Sequence, residues 1–180
     1  FGQIAAEHLG VSLEKINLVQ GDTDRVETGT GTGGSRSVPV GGASLNIAAG
    51  RLAETLRQRA GDMLEASAGD IELEDGVARV VGTDRQVSLA DVAAAAIEAG
   101  DAGALSEQEA WTPPHYTFPN GTHAVEVEID PDTGHIDIVN YVVVDDFGMT
   151  LNPTLLLGQV HGGVAQGLGQ AMLEKTYYDP

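Results

Sequence analysis

The spacing of apolar residues in the first third of the chain predicts two helices separated by a strand. Residues 2–9 have the period of an amphipathic helix that ends at Gly10, and residues 16–20 alternate as a strand does. From Pro39 to about Ala66 the helical period returns over a long stretch. The apolar residues of that stretch fall on one face, namely Leu45, Ala48, Ala49, Leu52, Leu56, Ala60, Met63 and Leu64.

The remaining two thirds predict two hairpins, a short helix and a long final helix. Asp75-Gly76 fits the type I′ turn of a hairpin over residues 70–82, and Ser88 followed by Asp91 resembles a helix-capping box. Residues 123–146 predict two strands around a turn at 130–134, and Pro153 begins a helix that runs to about Glu174. The expected fold class is α+β, a mixed sheet with hairpins packed against long helices, with two sub-lobes meeting near 105–122.

Charge and composition narrow the function classes. Nine Lys and Arg face 27 Asp and Glu, giving a formal net charge of −18, which argues against nucleic-acid binding. The chain has no Cys, so it holds no thiolate zinc site, iron–sulfur cluster or disulfide of its own. No apolar run reaches the ~18 residues of a membrane span, and no leader pattern is visible, so we expect a cytoplasmic protein. The chain begins with Phe1, and we expect it to be a piece of a larger protein.

The glycine-rich stretch "TGTGTGGSRSVPVGG", residues 28–42, is the first candidate site. Gly29-x-Gly31-x-x-Gly34 matches the dinucleotide fingerprint, but eight residues separate Gln20 from Gly29, which argues against that fold. Two interpretations remain open on the residues alone. The stretch is a flexible connector, or it is an anion-binding loop that combines converging backbone amides, the start of a helix, serine hydroxyls and the Arg36 fork.

The last predicted helix carries an unusual number of glycines: Gly158, Gly162, Gly163, Gly167 and Gly169. Each costs about 1 kcal/mol relative to Ala in a helix interior, so we expect compensation. Either a ligand approaches the backbone closely, or another helix packs tightly there. The five His residues lack the spacing of a metal site, so no metal ligand is assigned.

Three segments together resemble a known family. "QIAAEHLGVSLEKINLVQGDTD", "GTGGSRSVPVGGA" and "VDDFGMTLNPTLLLGQVHGGVAQGLGQAMLE" are similar, in this order, to the molybdopterin-binding large subunit of the xanthine oxidase, aldehyde oxidase and aerobic carbon monoxide dehydrogenase family. The resemblance implies a molybdenum-cofactor-binding domain and a molybdopterin dinucleotide. The loop Gly33-Gly34-Ser35-Arg36-Ser37 would bind the phosphate or nucleotide part of the cofactor, and Gln159 would lie near the pterin.

The resemblance also implies what the parent protein does. It would be an oxidoreductase that hydroxylates an aldehyde, an N-heterocycle or a CO-type substrate and passes electrons to an iron–sulfur subunit and a flavin subunit. A homo-oligomer of such heterotrimers is expected.

The family's catalytic glutamate would lie beyond Pro180, so we assign no catalytic residue within the chain and expect the fragment alone to be inert. The alternative hypothesis is a non-enzymatic protein-interaction module in which the glycine-rich helix packs on a partner. A nucleotide-dependent dehydrogenase is a third possibility, which requires a strand ending directly at Gly29.

Overall fold

The computed structural model describes residues 1–26, 29 and 31–179. The chain divides into two compact units, Phe1–Tyr116 and Thr117–Pro180. The first contains helices α1 (Gly2–Leu9), α2 (Ala43–Leu64) and α3 (Leu89–Glu98) and strands β1 (Ile71–Glu74), β2 (Val77–Val80) and β3 (Gln86–Ser88). The second contains strands β4 (Asn120–Ile129) and β5 (Ile136–Asp146) and helix α4 (Pro153–Met172).

The core of the first unit lies between the long helix α2 and an antiparallel sheet of order β1-β2-β3. Burial of the apolar face of α2 against this sheet supplies the main favourable contribution to the folding free energy of the unit. The stripe predicted for α2 is largely correct, although Met63 is 45% exposed. The fully packed side chains come from α2, the first two strands and α3, and they are Leu56, Ala60, Ile71, Ala78, Val80 and Val92.

Local turn and cap signals are realised as predicted. α1 ends at Gly10, which has a left-handed φ of 59°, and the turn between β1 and β2 has φ values of 52° and 79° at Asp75 and Gly76. At the start of α3 the Ser88 hydroxyl accepts a hydrogen bond from the Asp91 amide at 3.0 Å. These features depend on a few neighbouring residues, and for that reason sequence patterns predict them well.

The predicted strand at residues 16–20 is wrong. Leu13–Lys15 forms a single 3-10 turn, and Ile16 is extended, but within the described ranges no strand pairs with residues 16–20. Alternation alone does not make a strand, because a strand also needs a neighbour for its backbone hydrogen bonds. The short strand β3 was not predicted, and it supplies the third strand of the sheet.

The second unit is a long hairpin followed by α4. β4 and β5 pair antiparallel from Asn120↔Asp146 to Ile129↔Ile136, with an irregularity between Glu126 and Val127. The α+β class is confirmed, and in the described part of the chain the strands form two antiparallel sheets where a mixed sheet was predicted. Within the same part, no helix combines the length and the apolar character needed to cross a bilayer.

The turn between β4 and β5 gives a pH prediction. The Asp130 carboxylate accepts hydrogen bonds from the Asp132 amide at 2.8 Å and the Thr133 amide at 3.3 Å. The Asp132 amide, and after it the Thr133 side chain, lowers the pKa of Asp130 from its ordinary value of 3.8, because these donors favour the charged form. The resulting stabilisation of the turn is present above pH ~4 and is lost as the pH falls through the lowered pKa.

We therefore expect a carboxyl NMR titration to give a pKa of Asp130 below the ordinary value of 3.8. We also expect Asp130→Asn to remove the loosening of the hairpin at acid pH. Asn keeps an acceptor oxygen in the turn but carries no charge, which makes it a matched control. Amide hydrogen exchange in β4 and β5 reports the loosening. An Asp130 carboxyl that titrates at or above its ordinary value would contradict this account.

Candidate functional site

The glycine loop Gly33–Ser37 lies immediately before the long helix of the first unit. A π-helical turn, Ser37–Gly42, connects the loop to α2, which is 22 residues long. Gly34 and Ser35 have φ values of 56° and 55°, and Gly31 has 68°. A left-handed φ at a serine is uncommon and costs of order 1 kcal/mol, and such strain concentrates at ligand-binding sites. Thr28 and Thr30 of the glycine-rich stretch lie outside the described residues.

Hydrogen bonds inside the loop fix its shape. The Arg36 Nε–H donates to the Gly31 carbonyl at 3.2 Å, and the Thr32 and Ser37 hydroxyl oxygens are 3.1 Å apart. The Arg36 amide donates to the Gly33 carbonyl at 3.3 Å. One nitrogen of the Arg36 guanidinium thus positions the loop itself, a contact that the sequence pattern did not predict.

The space around this loop suits a phosphate group. A Cβ added at Gly31 or Gly34 would meet nothing within 4 Å, and one at Gly33 would meet only Arg36 Nη2 at 3.9 Å. The backbone is therefore bare on its outer side and open to a ligand. The first amides of a helix have no acceptor within it, and a helix start carries partial positive charge. Beside this loop the helical start is the π-helical turn that begins at Ser37. An exposed serine hydroxyl and a guanidinium complete a set of donors that fits an anion.

Gln159, the other predicted cofactor residue, lies in the second unit on α4. It is exposed on the same side of the helix as Gln166 and Gln170. Next to this row the helix backbone is open, because a Cβ at Gly158, Gly162 or Gly163 would meet nothing within 4 Å. The face around Gln159 therefore combines amide side chains with bare backbone. The assignments of Gly33–Ser37 and Gln159 to the cofactor stay predictions.

A groove of about 980 Å³ runs between β5 and the opposite side of α4. Its lining is mainly apolar, and its polar side chains are Tyr141, Asp145, Asp146, Thr150 and His161. Beside it, His123 Nδ1 lies 3.1 Å from the Tyr141 hydroxyl, and His123 Nε2 lies 3.6 Å from Asp145 Oδ1. Sequence analysis did not single out this cluster, because its members meet only through the register in which His123 faces Val143.

The loop from β5 to α4 is held by two side-chain caps. Asp146 Oδ1 accepts from the Gly148 amide at 2.9 Å, and Asn152 Oδ1 accepts from the Leu155 amide at 3.0 Å. Asn152 caps α4, and Pro153 follows at the first helical position, where its missing N–H is harmless. Both residues therefore shape the strand-to-helix turn.

Comparison with known proteins identifies similar chains. The family model described as "Molybdopterin cofactor-binding domain" matches residues 1–180. The chain is 40% identical to the nicotine 6-hydroxylase large subunit of Paenarthrobacter nicotinovorans, an alignment that covers 98% of this chain and 22% of the relative. It is 36% identical to the carbon monoxide dehydrogenase large chain of Hydrogenophaga pseudoflava, covering 99% of this chain and 23% of the relative.

Solved structures show the same fold. Quinoline 2-oxidoreductase from Pseudomonas putida 86 superimposes with a TM-score of 0.80 at 36% identity, covering 99% of this chain and 23% of that one. The chain thus spans less than a quarter of the length of the relatives it matches.

Proposed function

The chain belongs to the molybdopterin cofactor-binding domain family, and on that premise we propose that it forms part of the cofactor-binding wall of a molybdenum hydroxylase large subunit. In this proposal the loop Gly33–Ser37 binds the phosphate or nucleotide part of a molybdopterin dinucleotide, and Gln159 lies beside the pterin. The observation that carries the proposal is the open backbone at Gly34 together with the positive φ of Gly34 and Ser35, next to the π-helical turn that leads into the long helix α2.

The residues of this chain act by binding and orienting. Backbone amides at the start of the helix and the hydroxyls of Ser35 and Ser37 donate to anionic oxygens, and Arg36 supplies the positive charge. The Gln159 amide offers both a donor and an acceptor to a heterocycle edge. When bound, the cofactor supplies the molybdenum redox chemistry of hydroxylation. No residue of this chain is assigned as acid or base, so the isolated chain is expected to be inactive.

We further propose that the parent protein is an oxidoreductase that hydroxylates its substrate, a proposal that its relatives support. Nicotine 6-hydroxylase and quinoline 2-oxidoreductase carry the names of N-heterocyclic substrates and carbon monoxide dehydrogenase that of CO, so an N-heterocycle and CO are the two substrate classes that these relatives support. The 180 residues have no Cys, so they ligate no iron–sulfur cluster through cysteine, and we propose that the parent protein passes electrons to an iron–sulfur subunit and a flavin subunit. We propose as well that the large, iron–sulfur and flavin subunits form a heterotrimer, that such heterotrimers assemble into a homo-oligomer, and that the complex is cytoplasmic.

Replacing Arg36 tests the loop. In the full-length protein, Arg36→Ala should reduce the bound molybdenum and pterin, because a hydrogen bond to a charged group contributes about 1.5–3 kcal/mol. That energy corresponds to roughly a tenfold or greater weakening of cofactor retention. Elemental analysis for molybdenum and pterin extraction, each per mole of protein, measure the effect. The melting temperature of the cofactor-free protein should change little, because Arg36 is exposed.

Arg57→Ala is the matched control. It removes the same charge from α2, where Arg57 pairs with Glu54 at 3.8 Å, and it should leave cofactor content unchanged. If Arg36→Ala retained full molybdenum and pterin but melted at a much lower temperature, the loop would be structural. That result would favour the alternative of a protein-interaction module.

A further inference from the structure

The groove of the second unit is open although much of its lining is apolar. One wall is the β5 row Tyr141, Val143 and Asp145, and the other is the apolar α4 stripe at every fourth residue, from Leu156 through Val160 and Val164 to Leu168. These side chains are only half-buried. Exposure of apolar surface to water is unfavourable, so we expect a further protein segment to bind in this groove.

One end of the groove carries a carboxylate that lacks a hydrogen-bond donor. The Asp145 side chain is 16% exposed, and the His123 imidazole lies beside it, with Nε2 3.6 Å from Asp145 Oδ1. The described residues place no hydrogen-bond donor on its oxygens. Withdrawing a carboxylate from water without such a donor is costly, and proteins normally supply a partner.

Gly121 makes room for this carboxylate. Gly121 lies opposite Asp145 in the hairpin, and a Cβ added there would overlap the Asp145 carboxylate oxygen. Tyr141 and His123 hold the same face, with ring centroids 5.9 Å apart in an edge-on arrangement. The carboxylate is thus fixed at the mouth of the groove.

The second unit also lacks a core of its own. Among its described residues, 117–179, no side chain is fully buried, and Val125, Val127, Val142 and Val144 are between 46% and 69% exposed. A single two-stranded hairpin is marginally stable in water and needs a further layer. The relatives are more than four times longer than this chain, so they contain polypeptide that can supply one.

We infer that a segment of the same polypeptide, outside residues 1–180, lies in the groove between β5 and α4 and places an Arg or Lys side chain against Asp145. Such a side chain suits both parts of the groove, because its methylene stem packs on apolar walls while its head donates to a carboxylate. The complementary charge selects a basic residue. This inference concerns the assembly of the large subunit and does not depend on the cofactor.

Site-specific photo-cross-linking tests the occupant in the full-length holoenzyme. A benzoylphenylalanine in place of Leu157, which lines the groove, should cross-link to a peptide of the same chain that lies outside residues 1–180 and contains Arg or Lys. The same probe in place of Leu173, which is 86% exposed, is the control and should give no such product. A product with a second copy of the chain or with another subunit, or no product at all, would overturn the inference.

A basic partner of Asp145 is tested by whether Asp145→Asn raises or lowers the melting temperature. If a basic side chain faces Asp145, Asp145→Asn leaves a buried cation unpaired and should lower the Tm of the full-length protein. If no basic group is there, removing a largely buried carboxylate that accepts no hydrogen bond from the described residues should leave the Tm unchanged or raise it. Asp137→Asn is the control, because Asp137 is exposed on the same strand and faces His135 at 3.4 Å. A Tm that does not fall below that of the control rejects the basic partner.

Discussion

Gly10→Ala is expected to destabilise the first unit by about 3 kcal/mol or more, a large share of the stability of a small domain. A left-handed φ of 59° at Gly10 costs an L-residue about 1–2 kcal/mol. In addition, a Cβ at Gly10 would overlap the Leu73 carbonyl and lie 2.8 Å from the Glu74 amide. These atoms belong to β1, whose pairing with β2 prevents them from moving aside.

Two further variants separate the backbone strain from the overlap. Gly82 has a φ of 75° and open space where its Cβ would be, so Gly82→Ala should cost only about 1 kcal/mol. Gly10→Asn relieves the φ penalty, since Asn tolerates the left-handed region, but keeps the overlapping Cβ and should be as damaging as Ala. Urea unfolding of the chain followed by circular dichroism compares the three. Equal losses for Gly10→Ala and Gly82→Ala would contradict the overlap.

Gly10 also illustrates what the sequence could predict of the fold. That a helix stops at this glycine is a local property, and the prediction is confirmed. That β1 crosses directly over it is a property of the tertiary fold, which no nearby residue encodes. The Asp75-Gly76 turn is also a local property, and its prediction is confirmed. Strand pairing is a tertiary property, so the prediction of a strand at residues 16–20 is wrong and the sequence pattern does not predict β3.

The candidate site also combines features that the local sequence predicts with features that only the tertiary structure determines. Runs of glycine and serine before a helical period already indicate exposed backbone donors, so the loop Gly33–Ser37 could be selected from the sequence. The bond from Arg36 back to Gly31 could not, because it depends on the path of the loop. The cluster of His123, Tyr141 and Asp145 depends on strand register, which is set only when the two strands pair.

The glycines of α4 give a prediction whose sign differs between the isolated chain and the loaded protein. Gly162 and Gly163 lie three and four residues after Gln159, on its side of the helix. A Cβ at either position would meet nothing within 4 Å. The double variant Gly162→Ala, Gly163→Ala should therefore stabilise α4 in the 180-residue chain by about 2 kcal/mol, because Ala exceeds Gly by about 1 kcal/mol per helical site. Circular dichroism during urea unfolding measures this gain.

In the full-length protein the same double variant should lose most of its bound molybdenum and pterin. If the cofactor approaches the helix beside Gln159, two added methyl groups occupy the space that bare backbone leaves for it. Gly103→Ala is the control, since Gly103 also has open space around its Cβ but lies in a 3-10 turn of the first unit. It should keep full cofactor content.

The two readouts separate the possible roles of these glycines. A double variant that gains helix stability and keeps molybdenum and pterin at the level of Gly103→Ala would show that the cofactor does not need this backbone. A double variant that loses cofactor and fails to assemble would instead indicate that another element of the large subunit packs on the glycines. We expect loss of cofactor with normal assembly, and a cofactor-free protein that melts no lower than the unmodified one, because the added methyl groups then obstruct only the ligand.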